Sequence, residues 1–333
     1  MSARLALSYV LPIRSTEVRH DLDGYLKELS EVVEVVVVDG SDDAVFAAHE
    51  VHWGKWVHHI AVDSDHVTPM GKVGGLLTGL HHASWDAVVI ADDDVRWDPE
   101  LLAEAARRLR GVDVVRPQNW FRPAPWHARW DTGRTLINRA LSSDWPGTLV
   151  LDRRALHRTG GYDGSALFEN LELVRTIKAA GGRELSAPDL FVPRTPPTAA
   201  QFLDQRVRQA YDEFARPWRL LLSLAILPTV AWGGRRAAVV IALASVAAAE
   251  AGRRRAGGSA VFGPLAAVWA PCWVAERAVT SWLALLWRVR HGGMRYRGTV
   301  LRKAATPMRE LRRTYARQGS DAAAVHGVRP SWR

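Results

Sequence analysis

Three consecutive aspartates close an apolar run in the first third of the chain, where residues 87–95 read A-V-V-I-A-D-D-D-V. Alternate side chains of an extended chain share a face, so Asp92 and Asp94 would point the same way. Carboxylates crowded at a buried strand end repel each other unless a cation or hydrogen-bond donors compensate. Mg²⁺ suits such a place, since it commonly uses one or two protein carboxylates and takes its other ligands from phosphate and water. The pattern favours a metal site over a solvated acidic turn before a helix.

A second acidic segment, Asp39-Gly40-Ser41-Asp42-Asp43, follows the apolar run at 35–38. In open α/β sheets, ligands bind in the crevice beyond the carboxyl ends of the strands. The carboxylate of Asp39 could there accept hydrogen bonds from a base or a ribose. On the residues alone, an Asx-turn that leaves the strand is an equal alternative.

Several common catalytic motifs are absent from the sequence. The first apolar run leads into L-P-I-R-S at 11–15 without the G-x-G-x-x-G of dinucleotide enzymes, and Gly71-Lys72 lacks the upstream glycine of a P-loop. His49-Glu50-Val51-His52 is one residue short of the zinc-protease motif, so we interpret its histidines as surface residues. No G-x-S-x-G elbow accompanies a Ser-His-Asp set. The single Cys272 excludes an intrachain disulfide and a cysteine-based metal site.

The elements that must position these side chains are short β-branched runs alternating with helical patterns. A helix is predicted over 98–110, where Asp98 can cap, Pro99 fits the first turn and one apolar stripe follows. Several runs lack polar alternation, as expected of strands covered on both faces. This order predicts an α/β fold with a mostly parallel sheet flanked by helices. The predicted strands are 5–11, 35–38, 57–62, 87–91, 112–115 and 148–151.

The net charge of +9 on 333 residues is divided unequally along the chain. Residues 1–215 contain 24 Lys and Arg against 31 Asp and Glu, whereas residues 216–333 contain 20 against 4. The basic part also contains three arginine-free apolar windows bordered by tryptophans, of which only the third reaches the roughly 20 residues of a full membrane span. We expect a membrane surface as its partner rather than nucleic acid, with a buried soluble hairpin as the alternative. The windows are 220–234, 237–252 and 256–275.

Four motifs, taken in order, resemble those of the family 2 glycosyltransferases, which have the GT-A fold. V-V-V-V-D-G-S-D-D at 35–43 is similar to the family's V-D-D-G-S segment, and I-A-D-D-D-V at 90–95 is similar to its Asp-x-Asp motif. G-K-V-G-G-L-L-T-G-L at 71–80 matches the Gly-Lys-rich stretch between them, and residues 147–163 resemble the segment that precedes the family's Glu-Asp motif. The resemblance covers roughly residues 5–215.

The resemblance implies a nucleotide diphosphate sugar as donor. Asp39 would contact the nucleotide base, Lys72 would lie near the donor, and Asp92 would face the ribose. Asp94, with Asp92, would hold a Mg²⁺ or Mn²⁺ that bridges the diphosphate and neutralises charge on the leaving group. The other donor-side residues are Asp93, Gln205, Arg206 and Arg208.

Two departures from the family pattern affect the expected reaction. The Gln-x-x-Arg-Trp motif of polymer-making relatives ends here in Gln209, so stacking on a sugar chain is lost and a single transfer is favoured. Arg206 and Arg208 could still neutralise the diphosphate, with a solvated basic helix face as the alternative. The family's Glu-Asp pair reads Glu169-Asn170, and an asparagine cannot take the proton that inverting transfer removes from the acceptor.

The sequence therefore does not determine which residue is the general base. We predict Glu169 in this role, with Glu172, one helical turn on, as the next choice; a base from elsewhere in the chain, or an inactive protein, is also possible. Residues 118–135 contain Trp120, Trp126 and Trp130 among arginines and prolines. Aromatic faces and guanidinium groups suit sugars and phosphates, which predicts an acceptor loop, with a plain packed loop as the alternative.

These features together predict a catalytic domain (1–215), a membrane-associated helical region (216–290) and a basic cytosolic tail (291–333) that becomes a polar helix beyond Thr306. G-G-M-R-Y-R-G at 292–298 resembles a segment of lipid glycosyltransferases such as ceramide glucosyltransferase. Cytosolic nucleotide sugars and the positive-inside bias place both ends of the chain inside, which predicts two crossings with the remaining window at the interface.

The predicted activity is metal-dependent, inverting transfer of one sugar to a lipid-linked or membrane-held acceptor at the cytoplasmic side of the cell membrane. The alternatives are a sugar-phosphate nucleotidyltransferase and a catalytically degenerate relative that acts as a membrane binding or scaffold protein. The first would need a glycine-rich basic loop after the first strand, which residues 11–15 do not supply. The second is suggested by Asn170.

Overall fold

The computed structural model describes residues 4–296 and 298–325, with side chains up to residue 317. Seven strands form one sheet in the order β3-β2-β1-β4-β6-β5-β7. The first four strands of this order are mutually parallel, β6 is antiparallel to both of its neighbours, and β5 is parallel to β7. The strands are β1 (Ser8–Ile13), β2 (Glu34–Asp39), β3 (His58–Ala61), β4 (Ala87–Ala91), β5 (Val114–Phe121), β6 (Thr148–Asp152) and β7 (Glu184–Arg194).

Helices cover both faces of this sheet, and β2 shows how the sequence requires it. Val36 and Val38 point into one apolar core, whereas Val35 and Val37 point into the other. The helices are α1 (Asp23–Ser30), α2 (Asp43–Trp53), α3 (Gly71–His82), α4 (Pro99–Leu109), α5 (Trp126–Leu141), α6 (Arg153–His157), α7 (Glu169–Ala179), α8 (Ala199–Asp204), α9 (Arg206–Tyr211), α10 (Pro217–Arg254), α11 (Ala270–His291) and α12 (Met308–Val325).

The predicted α/β fold is confirmed; all six predicted strands are present, β4 with the predicted bounds and the other five with shifted ends. The predicted capping of α4 is also present, since the Asp98 carboxylate accepts a hydrogen bond from the Leu101 amide at 2.8 Å. Sequence reasoning missed β7, because Pro188 and Pro193 break its pattern and its pairing with β5 shifts register near Arg116. β7 matters because its last residue is Arg194.

The first two apolar windows form the arms of α10, which reverses direction at Gly234. That glycine has φ 59° and ψ −148°, a backbone conformation outside the helical region. Both ends of α10 lie against α5: Arg219 donates to the Asn138 side chain at 2.6 Å, and Arg139 donates to the Gly252 carbonyl at 3.0 Å. α10 is therefore a helical hairpin. The stretch Pro217–Ala260, which contains this hairpin, is long and apolar enough to cross a membrane by length and composition.

The third window does not form the continuous span that its length suggested. Ala256 and Gly257 have positive φ, a short turn follows at Ala266–Trp269, and α11 begins only at Ala270. The left-handed backbone and Pro264 prevent one helix from running through 256–275. The boundaries proposed at 215 and 290 stay predictions.

A small hairpin of β8 (Met294–Tyr296) and β9 (Thr299–Leu301) follows α11 and carries the 292–298 motif. Residues after it are fixed to the start of α7, since the Leu167 and Phe168 amides donate to the Lys303 and Ala304 carbonyls. The expected polar helix beyond Thr306 is α12, and the expected disordered end of the tail lies outside the described residues.

Candidate active site

Two cavities meet at the carboxyl ends of the parallel strands. The first, called the strand-end cleft, has a volume of about 400 Å³ and lies beyond β1 and β2, against the first turns of α3. The second, called the inner cleft, has a volume of about 370 Å³ and is bounded by α5, α7, α9 and α11. Lys72, Asp92, Asp93 and Tyr296 line both cavities, so the acidic segment after β4 forms their junction.

Lys72 occupies this junction between two carboxylates. Its Nζ donates to Glu169 Oε1 at 2.6 Å and forms an ion pair with Asp92. Burial disfavours the charge on Lys72, but the attraction of Asp92 and Glu169 is larger and raises the pKa of Lys72. The α3 helix brings it there because Gly75 and Gly79 let the helix pack directly on Pro12 and Val10 of β1.

Arg194, at the end of β7, holds the two aspartates that the sequence placed on one face. Its Nε donates to Asp94 at 2.7 Å, and its Nη2 lies 3.5 Å from Asp92. Burial opposes ionisation of Asp92, but Lys72 and Arg194 lower its pKa. Burial raises the pKa of Asp94 despite Arg194. Asp93, which also lines both clefts, pairs with Arg19.

The carboxylates fit a hard divalent cation in chemistry and in accessibility. Asp94 Oδ1 is buried and has no hydrogen-bond partner among the described residues, so it retains an unused ligand position. Asp92 lines the two clefts beside it. All available donors are oxygens, which Mg²⁺ and Mn²⁺ prefer. Asp92 and Asp94 are therefore the residues that would hold such an ion.

Asp39 lies in a buried hydrogen-bond network at the end of β2. Its carboxylate accepts a hydrogen bond from the Ser41 amide, and lies 2.6 Å from His49 Nδ1 and 3.2 Å from His59 Nε2. Burial opposes its ionisation, but these hydrogen bonds lower the pKa of Asp39 to about 2. The neighbouring Gly40 lines the strand-end cleft. Contact of Asp39 with a nucleotide base stays a prediction.

The interpretation of the 49–52 histidines as surface residues is wrong for His49. Its ring is fully buried, stacks on Trp53, and accepts a hydrogen bond from the Arg19 amide at 3.0 Å. His52 remains partly exposed. The His49–Asp39–His59 network fixes the turn after β2, which positions the chain around Gly40.

The three α7 residues considered for catalysis lie in different environments. Glu169 and Asn170 line the inner cleft, and Asn170 donates to the Pro146 carbonyl at 2.9 Å, which fixes the loop beside Asp92. Glu172 is fully buried away from both clefts, and its carboxylate accepts a hydrogen bond from the Thr306 amide at 2.5 Å. The structure therefore removes Glu172 as a base, because no substrate can reach it.

The residues of the basic motif at 205–209 also lie in different environments. Gln205 and Arg208 line the inner cleft. Arg206 is buried and lies 3.1 Å from Asp131 and 3.5 Å from Glu276, so its charge is already paired inside the protein. A direct role of Arg206 at the diphosphate stays a prediction that this internal pairing does not support.

The three tryptophans proposed for the acceptor lie outside both clefts. Trp126 and Trp130 are on α5, which is a helix and not a loop, and both contact Phe202. Trp120 borders a separate apolar cavity of about 760 Å³ beside residues 261–269. Their position supports packing next to the apolar helices, and the role of this segment in binding an acceptor near the membrane stays a prediction.

Asp212 and Arg277 are among the residues of the inner cleft that sequence reasoning missed. Burial raises the pKa of Asp212 to about 7, with a further increase from Glu169 and an opposing effect of Arg208. Arg277 lies on α11, inside what the sequence marked as a membrane region. Only an isolated acidic residue after the Gln205 motif and an isolated arginine between apolar stretches could have signalled them.

A mostly parallel sheet, flanked by helices and with an aspartate cluster at a central strand end, defines a glycosyltransferase of the GT-A type. The model of the family described as Glycosyltransferase like family 2 matches residues 22–212, which is more than half of the chain. The protein belongs to this family and is a glycosyltransferase. Its finer resemblance to ceramide glucosyltransferase stays a prediction.

Solved structures of other glycosyltransferases are similar at low identity. A mannosyltransferase from Pyrobaculum calidifontis in complex with GDP-Man and Mn²⁺ is 19% identical with a TM-score of 0.48, over 84% of this chain and 88% of the other. Glucosyl-3-phosphoglycerate synthase from Mycobacterium tuberculosis in complex with Mn²⁺, UDP and phosphoglyceric acid is 18% identical with a TM-score of 0.40, over 59% and 72%. No curated protein sequence is significantly similar to the chain. The family assignment rests on the family model.

Proposed function

We propose that the protein transfers a single sugar from a nucleotide diphosphate sugar to an acceptor held at the membrane. The observation that carries this proposal is the junction of the two clefts at Lys72, Asp92 and Glu169. It gives the donor and the acceptor separate cavities that meet at one point with charged groups of both signs. A transferase needs this arrangement, because the two substrates must be held with their reacting atoms adjacent.

We propose the strand-end cleft as the donor site. It lies beyond the carboxyl ends of β1 and β2, the usual ligand position of an open α/β sheet. Lys72 would donate to the diphosphate, and Arg208, which lines the inner cleft near Asp92, would add positive charge. A Mg²⁺ or Mn²⁺ held by Asp92 and Asp94 would, when bound, neutralise charge on the leaving diphosphate.

The transfer requires one proton to be removed at the acceptor. The acceptor oxygen forms a bond to the anomeric carbon with inversion, and the bond from that carbon to the diphosphate oxygen breaks with its electron pair. The proton moves to a carboxylate, for which we propose Glu169, because it lies at the junction with Lys72. Asp212 is the second candidate, because a pKa of about 7 suits a base at neutral pH.

We further propose that the α10 hairpin crosses the membrane twice, with the catalytic domain on the cytoplasmic side. Only 6% of its apolar window is buried in the protein, so this window lacks the cover that a soluble core helix has. Trp232, at the tip, is 94% exposed. Both flanks of the hairpin then lie on the side where nucleotide sugars occur.

Thermal unfolding of the full chain with a panel of nucleotide sugars, with and without Mn²⁺, tests the donor proposal. A ligand at 100 times its dissociation constant stabilises a protein by about 2.7 kcal/mol, which is readily measured as an increase in Tm. We expect one sugar nucleotide to stabilise the protein in a Mn²⁺-dependent way and to release its nucleoside diphosphate when incubated with it. The absence of stabilisation by every member of the panel would refute the proposed donor class.

A further inference from the structure

Arg277 carries a buried charge without an adequate partner. Its side chain is 2% exposed, and its Nε and Nη1 atoms have no hydrogen-bond partner among the described residues. The nearest carboxylate is that of Glu276, 3.9 Å from Nη2, which is an ion-pair distance and not a hydrogen bond. Burial lowers the pKa of Arg277, which shows how poorly the protein alone compensates the charge.

Buried charges in proteins are normally paired, because an uncompensated ion loses several kcal/mol of hydration. The two carboxylates that act on Arg277, Glu276 and Glu213, are shared with other arginines. Glu276 lies 3.5 Å from Arg206, and Glu213 lies 3.2 Å from Arg219. The donors of Arg277 are therefore free to bind something that enters the inner cleft, which Arg277 lines.

Further guanidinium groups line the same end of the cleft. Arg216 also has a buried Nε without a hydrogen-bond partner in the described part of the chain, and Arg134 lines the cavity beside it. Glu213 is the carboxylate nearest to Arg216, at 3.5 Å, and it is shared with Arg219 at 3.2 Å. The unused N–H groups of Arg277 and Arg216 match the oxygens of a phosphate group, which accepts several hydrogen bonds at once.

The position of these arginines identifies the source of the phosphate. Arg216 directly precedes Pro217, the first residue of the apolar hairpin α10, and Arg277 lies on α11, which packs against α10 through contacts such as Trp282 to the Leu224 carbonyl. This end of the inner cleft is thus next to the apolar helices and opposite the strand-end cleft. A lipid whose tail lies along α10 would bring its phosphate to this place.

We propose that Arg277, with Arg216, binds the phosphate group of a membrane lipid, and that the acceptor of the transfer is a phosphate-bearing lipid. The identification as acceptor rests on the proposed function, whereas the phosphate site itself does not. The inference narrows the acceptor from any membrane-held molecule to one with an anionic phosphate near its reacting end.

Binding of farnesyl phosphate, farnesol and inorganic phosphate to the full chain in dodecyl maltoside tests the proposal. We expect farnesyl phosphate to bind at least about tenfold more tightly than farnesol, since hydrogen bonds to charged groups contribute about that much. Arg277→Met should remove this difference, and Arg277→Lys, which keeps the charge and is less disruptive, should reduce it. Arg129→Met is the matched control, because Arg129 borders the separate apolar cavity.

Each outcome of this experiment tests a different part of the proposal. Equal binding of the phosphate and the alcohol, or an unchanged difference in both Arg277 variants with an unchanged Tm, would overturn the phosphate site. Tight binding of inorganic phosphate with no gain from the farnesyl chain would overturn the lipid as its source. Arg277-dependent binding of farnesyl phosphate in a protein that binds no nucleotide sugar would support the site and refute only the proposed function.

Discussion

Lys72 Nζ lies 2.6 Å from Glu169 Oε1, and this ion pair joins α3 to α7 across the junction of the two clefts. The same ammonium group pairs with Asp92 and lines both the strand-end cleft and the inner cleft. The two carboxylates come from segments 77 positions apart in the sequence, and only the fold brings them together. A charge shared in this way can bind a diphosphate on one side while it orients a base on the other.

Lys72→Met should abolish most transfer, because the variant loses the cation between the diphosphate and Glu169. We expect weaker binding of nucleoside diphosphate by about tenfold or more, consistent with loss of charged hydrogen bonds. Titration calorimetry measures this affinity, with Lys55→Met as control, because Lys55 is exposed and contacts the Trp56 ring. Unchanged affinity and turnover in Lys72→Met would contradict the role of Lys72.

Glu169→Gln should lower kcat by a factor of about 10² to 10⁴, the usual contribution of a general base. Glu172→Gln is a matched control, because Glu172 is on the same helix but outside both clefts. We expect its folded fraction to keep the kcat of the wild-type protein, although its Tm can fall with the weaker bond to Thr306. Equal losses of kcat in both variants would contradict the assignment.

Asp212 gives a pH dependence with a defined sign. Its pKa in the folded protein is about 7, raised from 3.8 by burial, so the folded state holds the proton more strongly than the unfolded state. Asp212 therefore lowers the free energy of unfolding by an increasing amount as the pH rises from its unfolded pKa of 3.8 towards 7. Asp212→Asn removes this cost, and we expect its gain in Tm over wild type to be larger at pH 8 than at pH 5. An equal gain at both pH values would contradict the raised pKa.

Gly147→Ala should disturb the acidic segment directly. A Cβ at Gly147 would collide with the Asp92 carboxylate, and the Gly147 carbonyl already accepts the Asp92 amide hydrogen bond at 2.8 Å. We expect a higher KM for the nucleotide sugar, measured by steady-state kinetics. Gly24→Ala is the control, because a Cβ there meets no atom within 4 Å. A KM that stays at the wild-type value in Gly147→Ala would show that Asp92 tolerates displacement.

The sequence predicted the parts of the site that follow from strand ends. Asp92 and Asp94 share a face because residues 87–91 form a strand, and that alternation is local. The choice between Glu169 and Glu172 depends on how α7 is rotated against the residues around Thr306, which no local pattern encodes. The burial of Asp39 was not predictable for a similar reason, since its histidine partners come from α2 and β3.

Arg194 and Arg277 were missed because their elements were misread. β7 contains two prolines and an irregular register, so its pattern did not indicate a strand. Arg277 interrupts apolar sequence that was interpreted as membrane-associated, and only the packing of α11 on α5 and α9 directs it into the cleft. Both cases concern contacts between distant segments.

The most direct test of the central claim is the affinity of the full chain for UDP and GDP, measured with and without Mn²⁺, for the wild-type protein and Asp94→Asn. If Asp92 and Asp94 hold a cation that binds the diphosphate, Mn²⁺ should strengthen nucleotide binding in the wild type and have little effect in Asp94→Asn. If Mn²⁺ leaves the affinity of the wild type unchanged for both nucleotides, or strengthens it equally in the variant, these aspartates do not perform that function.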